Sequence, residues 1–270
     1  MSNNQIELEG RVFVPASELD IPDWGCVVLD RNQPTLTLKD DDLFLITDTL
    51  GNISGCSRDE TISSMGLFCR DTRFLSRLEL QIAGSSPILL ACNADKGFAL
   101  SALCTNPTIP NINAETIGIQ RELVLNGSLF EEITIHNYNT TAIEFELSLS
   151  FDADFSDLFE IRGFNRKQRG DLLRRIHPHH SDIPVNELTM AYQGLDGVIL
   201  ESHLQFAHQL PNLLKGYTAI WKIELEPHAS CQLGYRLEML MNNRPVSRVN
   251  SPVALLQAKA AEMMEEDNWR

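Results

Sequence analysis

Apolar and polar side chains alternate along most of this chain, the two-residue period of strands with one buried face. The pattern runs through 43–49, 77–84, 87–93, 119–125, 129–137 and 142–155. It resumes in 188–194, 197–206, 217–227 and 231–240. Turn signals separate these runs: Asn126-Gly127, Asn139-Thr140-Thr141, Gly194-Leu195-Asp196-Gly197 and Pro227-His228. The first and third predict hairpins, with ELVLNGSLFEE the clearest, because Asn and Gly tolerate the positive φ of tight turns. One segment predicts a helix: Ser251 caps it, Pro252 suits its first turn, and Leu256, Ala260, Met263 and Met264 recur at helical spacing. So many short strands without a βαβ rhythm predict an all-β fold. We expect a large antiparallel β-sandwich (supersandwich-like) over 1–250, and one C-terminal helix over 251–270.

Charge narrows the partners. The 270 residues carry 37 acids against 22 Lys and Arg, a net charge of −15. That field repels phosphate backbones and anionic lipids, so no nucleic acid and no membrane is expected as a partner. A neutral, hydroxyl-rich ligand such as an α-glucan is not repelled. Cys26, Cys56, Cys69, Cys92, Cys104 and Cys231 are scattered without a CxxC pair, and MSNNQIELEG lacks the charged and apolar regions of a secretory signal. Reduced thiols and a cytoplasmic setting follow as expectations. No cofactor and no metal is expected. In His177-Pro178-His179-His180 the proline interrupts the backbone, and no partner lies at zinc spacing. No P-loop, GxGxxG or GxSxG occurs. Trp24 is a possible stacking surface, whereas Trp221 alternates with Ile223 and Leu225 and is expected in the core.

The candidate chemistry lies in FDADFSDLFEIRG, 151–163, where Asp152, Asp154, Asp157 and Glu160 precede Arg162. On a continuous strand, Phe151, Ala153 and Phe155 would share one face, and Asp152 and Asp154 the other. Two residues apart on a strand, those carboxylates stand about 6.6 Å apart. Glycosidase pairs span roughly 5–9.5 Å, so distance alone leaves catalysis open. Yet neighbours on one strand face flank a glycosidic bond poorly, and an open face does little to raise a pKa. We expect no catalytic residue here, and acids that hold a loop by accepting backbone N–H groups or arginine forks. In GLFCRDTRFLSRLEL, 66–80, Arg70, Asp71 and Arg73 crowd together before a strand, suited to locking that segment or to meeting sugar hydroxyls. The basic stretch 162–175 is expected to be a solvated extension that balances the preceding acids.

DLFLITDTLGNI, GLFCRDTRFLSRLEL and the run from RELVLNG to FEIRG follow one another over about 36–175. In order and spacing they resemble the N-terminal domain of bacterial amylo-α-1,6-glucosidases, the glycogen-debranching-enzyme family. The resemblance implies a β-sandwich placed before a six-hairpin α/α toroid, which carries the two catalytic carboxylates and is absent here. The chain is then a module inactive alone, with that toroid as partner domain and an α-glucan as ligand. Arg70, Asp71, Arg73, Asp152, Asp154, Asp157, Glu160 and Arg162 become candidates for a substrate or domain interface. The competing expectation is a self-contained carbohydrate-binding or sugar-epimerase-like sandwich.

Overall fold

The structure, a computed structural model, describes residues 5–8, 10–18, 34–54, 63–164, 166–175 and 186–247. Along the chain come β1 (Ile6–Leu8), β2 (Arg11–Pro15), β3 (Thr35–Asp40), β4 (Leu43–Asp48), β5 (Gly66–Cys69) and β6 (Thr72–Leu75). They are followed by β7 (Arg77–Ile82), β8 (Ile88–Asn93), β9 (Ala99–Thr105), β10 (Ile117–Leu125), β11 (Leu129–Asn137) and β12 (Ile143–Asp152). A one-turn helix, α1 (Leu158–Ile161), precedes β13 (Asp171–Arg175), β14 (Glu187–Gln193) and β15 (Ile199–His208). Last are β16 (Leu213–Lys215), β17 (Thr218–Leu225), β18 (Ser230–Met241) and β19 (Arg244–Pro245).

Among the described residues three sheets form, and every strand pairing within them is antiparallel. An 11-stranded sheet runs β1-β2-β13-β14-β15-β18-β11-β10-β9-β8, with β19 paired to β18. Two four-stranded sheets, β16-β17-β12-β7 and β3-β4-β5-β6, turn their apolar faces toward it. The alternation seen in the sequence supplies those faces: Phe145, Leu147, Leu149 and Phe151 of β12 are all buried. Phe151 meets Tyr235 of β18 edge-on at 5.2 Å, and Trp221 of β17 meets Phe206 of β15 at 5.7 Å. Trp221 is in the core, 1 % exposed. The chain is the expected all-β antiparallel sandwich.

Three expectations need correction. β12 stops at Asp152, so Asp152 and Asp154 do not continue one strand face. Arg70, Asp71 and Arg73 do not simply precede a strand: the first two form the turn of the hairpin β5–β6, and Arg73 lies within β6, ahead of β7. Nor is 162–175 wholly a solvated extension: 171–175 is β13, set between β2 and β14, because Leu173 supplies a fully buried apolar position in that strand. The expected helix at 251–270, the boundary near 250, Trp24, Cys26, Cys56 and His177–His180 lie outside the described residues.

Candidate functional site

The site grows from the end of β12. β5 and β6 are joined by Arg70 and Asp71, both left-handed (φ 46 and 67), as a tight two-residue hairpin turn requires. The turn sends Arg70 outward, where it makes a loose 3.9 Å contact with exposed Asp42. Arg73, two residues on, faces inward and is 3 % exposed. Gly66 makes room for it: a Cβ there would lie 2.4 Å from the Arg73 Cδ.

Arg73 ties three pieces of chain together. Its Nε donates to Asp154 Oδ1 at 3.0 Å while Nη2 donates to Asp154 Oδ2. Nη1 donates to the Met65 carbonyl at 3.0 Å and to that of Ser63. Asp154 also accepts from the Ser156 amide and hydroxyl, at 3.2 and 2.9 Å. Burial alone would push the Asp154 pKa up, but the Arg73 hydrogen bonds and charge, with Ser156, hold it below the usual carboxylate value.

The neighbouring acids are held likewise. Asp152 accepts from Arg174 Nη2 at 2.6 Å and from the Ala153 amide at 2.8 Å. Arg174 is itself buried and lies over the Tyr217 ring, 5.0 Å from its centroid. Asp157 caps α1 and Glu160 completes a reciprocal capping box, with bonds of 2.8 and 3.1 Å. Arg166 then pairs with Asp157, and Arg169 with Glu160 at 3.1 Å. Arg169 also donates to the Asp154 carbonyl at 2.7 Å. Main-chain bonds close the clamp: Arg73 N donates to Ser156 O at 2.9 Å, and Leu158 N to Asp71 O at 3.1 Å.

The structure thus brings Arg73, Asp152, Asp154, Asp157 and Glu160 to one end of the sandwich. Asp71 joins through its carbonyl, whereas the Arg70 and Arg162 side chains stay outside the clamp. Guanidinium partners favour ionised carboxylates, which opposes the raised pKa a general acid needs. Beside the clamp stand Phe159 and Phe164, each 65 % exposed and edge-to-face at 6.1 Å.

A buried ion pair outside the clamp, Arg121 with Glu131, was not foreseen from the sequence. Arg121 and Glu131 sit on the inward phase of β10 and β11, among Ile119, Leu123, Leu129 and Ile133. Opposite charges on apolar faces of one hairpin were the signal that would have found them. Arg121 Nη1 also donates to the Leu50 carbonyl at 2.8 Å and to Asn52 Oδ1 at 2.6 Å. The DTLGN turn, 48–52, is therefore the seat of a buried guanidinium.

A shallow groove opens at the other end of β12, lined by Asn111, Asn139, Glu144, Phe145, Glu146 and Lys222 among others. Its volume is about 420 Å³. Among the described residues no group of His, Cys, Asp and Glu is placed to hold a metal. Cys69, Cys92, Cys104 and Cys231 are free thiols, and burial pushes Cys69 and Cys104 up to about 11.

Residues 38–236 match the family described as the N-terminal domain of (some) glycogen debranching enzymes. The chain belongs to that family. This debranching-enzyme N-terminal domain has no match among curated proteins. A solved structure described as a putative kojibiose phosphorylase from the human microbiome aligns with TM-score 0.49 at 10% identity. The alignment covers 96% of the domain's chain but 35% of that structure's, so the chain spans about a third of its length. Both halves of the clamp and the Arg121 seat fall inside the family-matched span.

Proposed function

We propose that this domain is the non-catalytic N-terminal module of a glycogen-debranching, amylo-α-1,6-glucosidase-like glycoside hydrolase. Its clamped end supports an α/α toroid catalytic domain in the longer polypeptide and helps shape α-glucan binding there. The observation that carries the reading is the concentration of fixed charge at that end. Asp152, Asp154, Asp157 and Glu160 are all held by arginines, and Phe159 and Phe164 are left exposed beside them. Such spending of guanidinium forks makes a rigid surface, which lowers the entropy cost of docking. Arg70, Asp71 and Arg162 sit at its edge as candidate contacts.

A cytoplasmic setting belongs to the same reading, supported by four free thiols. No helix among the described residues is long and apolar enough to cross a membrane. The competing reading, a self-contained carbohydrate-binding or epimerase-like sandwich, draws on the open groove. The deciding experiment compares the 270-residue chain alone with the chain joined to its downstream domain, using a branched α-glucan. Hydrolysis only by the joined protein supports the module. Sugar hydrolysis or interconversion by the chain alone overturns it.

A further inference from the structure

The groove at the start of β12 is built, and nothing in the clamp uses it. Two buried asparagines rivet its rims. Asn106, 0 % exposed, donates from Nδ2 to the carbonyls of Pro107 and Asn113 at 2.9 and 2.8 Å. Its Oδ1 accepts from the Thr116 and Ile117 amides at 3.0 and 2.8 Å, which fixes the loop carrying Asn111. Asn137, 1 % exposed, donates to the carbonyls of Thr141, Leu225 and Glu226 at 3.0 to 3.1 Å. Its Oδ1 accepts from the Asn139 amide at 2.8 Å and from Asn139 Nδ2 at 3.0 Å, so the opposite rim is held as firmly.

Between these rims the polar side chains are uncommitted. Glu146 and Lys222 face each other in register across β12 and β17, yet they form no ion pair. Glu144, Glu146, Lys222 and Asn111 have no side-chain partner among the described residues, in a domain whose other end pairs four acids with arginines. The lining also includes the apolar Ile112, Ile143 and Phe145. Mixed signs within one groove favour no simple ion, and the net charge of −15 opposes anionic ligands. Sugar hydroxyls donate and accept at once, so they can satisfy carboxylates, an ammonium and amides together. The C–H faces of sugar rings pack on apolar side chains.

We infer that this groove is a binding site for a neutral oligosaccharide, remote from the clamped end. The groove's β12 residues, Ile143 to Glu146, stand six to nine residues before Asp152, so groove and clamp lie roughly 20–30 Å apart along the strand. A domain docked at the clamp leaves the groove open, and it can hold a neighbouring segment of a large glucan while another segment is cut. The choice of an α-glucan as probe rests on the debranching reading above.

The test titrates the 270-residue chain with maltoheptaose by calorimetry, beside Asn111→Ala, Glu146→Ala and Lys222→Ala. Cellohexaose serves as a second probe, and melting temperature is followed throughout. Maltoheptaose should bind, and Glu146→Ala and Lys222→Ala should each weaken it on the order of tenfold, the loss of one hydrogen bond involving a charged group, with a smaller loss for the neutral amide of Asn111→Ala. Melting temperature should hold, since these side chains are exposed or half-buried. Leu195→Ala, in the exposed turn between β14 and β15, should bind as the parent does. Absence of binding by either sugar, or binding that the groove variants leave intact, overturns the inference. If the joined enzyme still cleaves branched α-glucan, the module reading survives that failure. Binding of cellohexaose alone keeps the groove as a saccharide site but counts against the α-glucan reading.

Discussion

Arg121 Nε donates to Glu131 Oε1 at 2.6 Å while both side chains are almost wholly buried, and Tyr235 donates to the other carboxylate oxygen at 2.7 Å. Removing one partner strands a charge in the core. Glu131→Gln should therefore cost about 3–5 kcal/mol, read as a fall in denaturant midpoint. Arg121→Met with Glu131→Leu should cost less than the two single losses added, because neither charge is then left alone. Additive losses in that cycle would show that the pair does not interact as described.

The fork from Arg73 to Asp154 carries a pH signature. The folded pKa of Asp154 lies below its unfolded value, so its contribution is complete above the unfolded pKa near 4 and is lost as pH falls through the folded value. Asp154→Asn should thus be less stable than the parent by about 1–3 kcal/mol at pH 7, with the gap narrowing below about pH 4. A gap independent of pH down to 2.5 would mean the ionised form is not what is held. Arg73→Lys should also destabilise, since a point charge cannot span both carboxylate oxygens.

Gly66→Ala should weaken the same clamp without touching a charge. A side chain at φ +153 is strained, and its Cβ would strike the Arg73 Cδ and the Leu75 carbonyl. A loss of about 1–3 kcal/mol is expected, measured by chemical unfolding. A neutral substitution would show that Arg73 can move aside without cost.

For the acids of α1, the expected effect in the joined enzyme is on docking and stability. Asp157→Asn and Glu160→Gln should lower melting temperature or substrate affinity more than the chemical step. If either abolishes turnover by several orders of magnitude, with fold and substrate binding intact, that carboxylate is catalytic.

Burial raises the Cys69 and Cys104 thiols, so their contribution to stability is present below the unfolded value near 8.5 and is lost as pH rises toward about 11. At pH 8 both should alkylate far more slowly in the native protein than in urea, as mass mapping can follow. Equal rates would contradict the burial.

The strands with one covered face were legible from alternation, and β11 spans 129–137 as the pattern predicts. β5 was not, because all four of its residues are buried and no period survives on a strand covered on both faces. β13 was hidden by its arginines, one of which is buried against Asp152. The acids of 151–163 were legible as partners for arginines, but not which arginine each would meet. Arg73 and Asp154 stand 81 residues apart, and only the adjacency of the β5–β6 hairpin to the end of β12 joins them. The groove was invisible too, since its rims come from 106–117 and 137–141, fixed by asparagines that resemble any loop residue in sequence.

The position of β18 sets a constraint on how the protein is made. It is among the last strands synthesised, yet it lies inside the large sheet between β11 and β15. Until it emerges from the ribosome, those two strands present unpaired edges to other nascent chains. Premature termination before residue 230 leaves a sheet split in two, a product for chaperones and proteases rather than a smaller working domain.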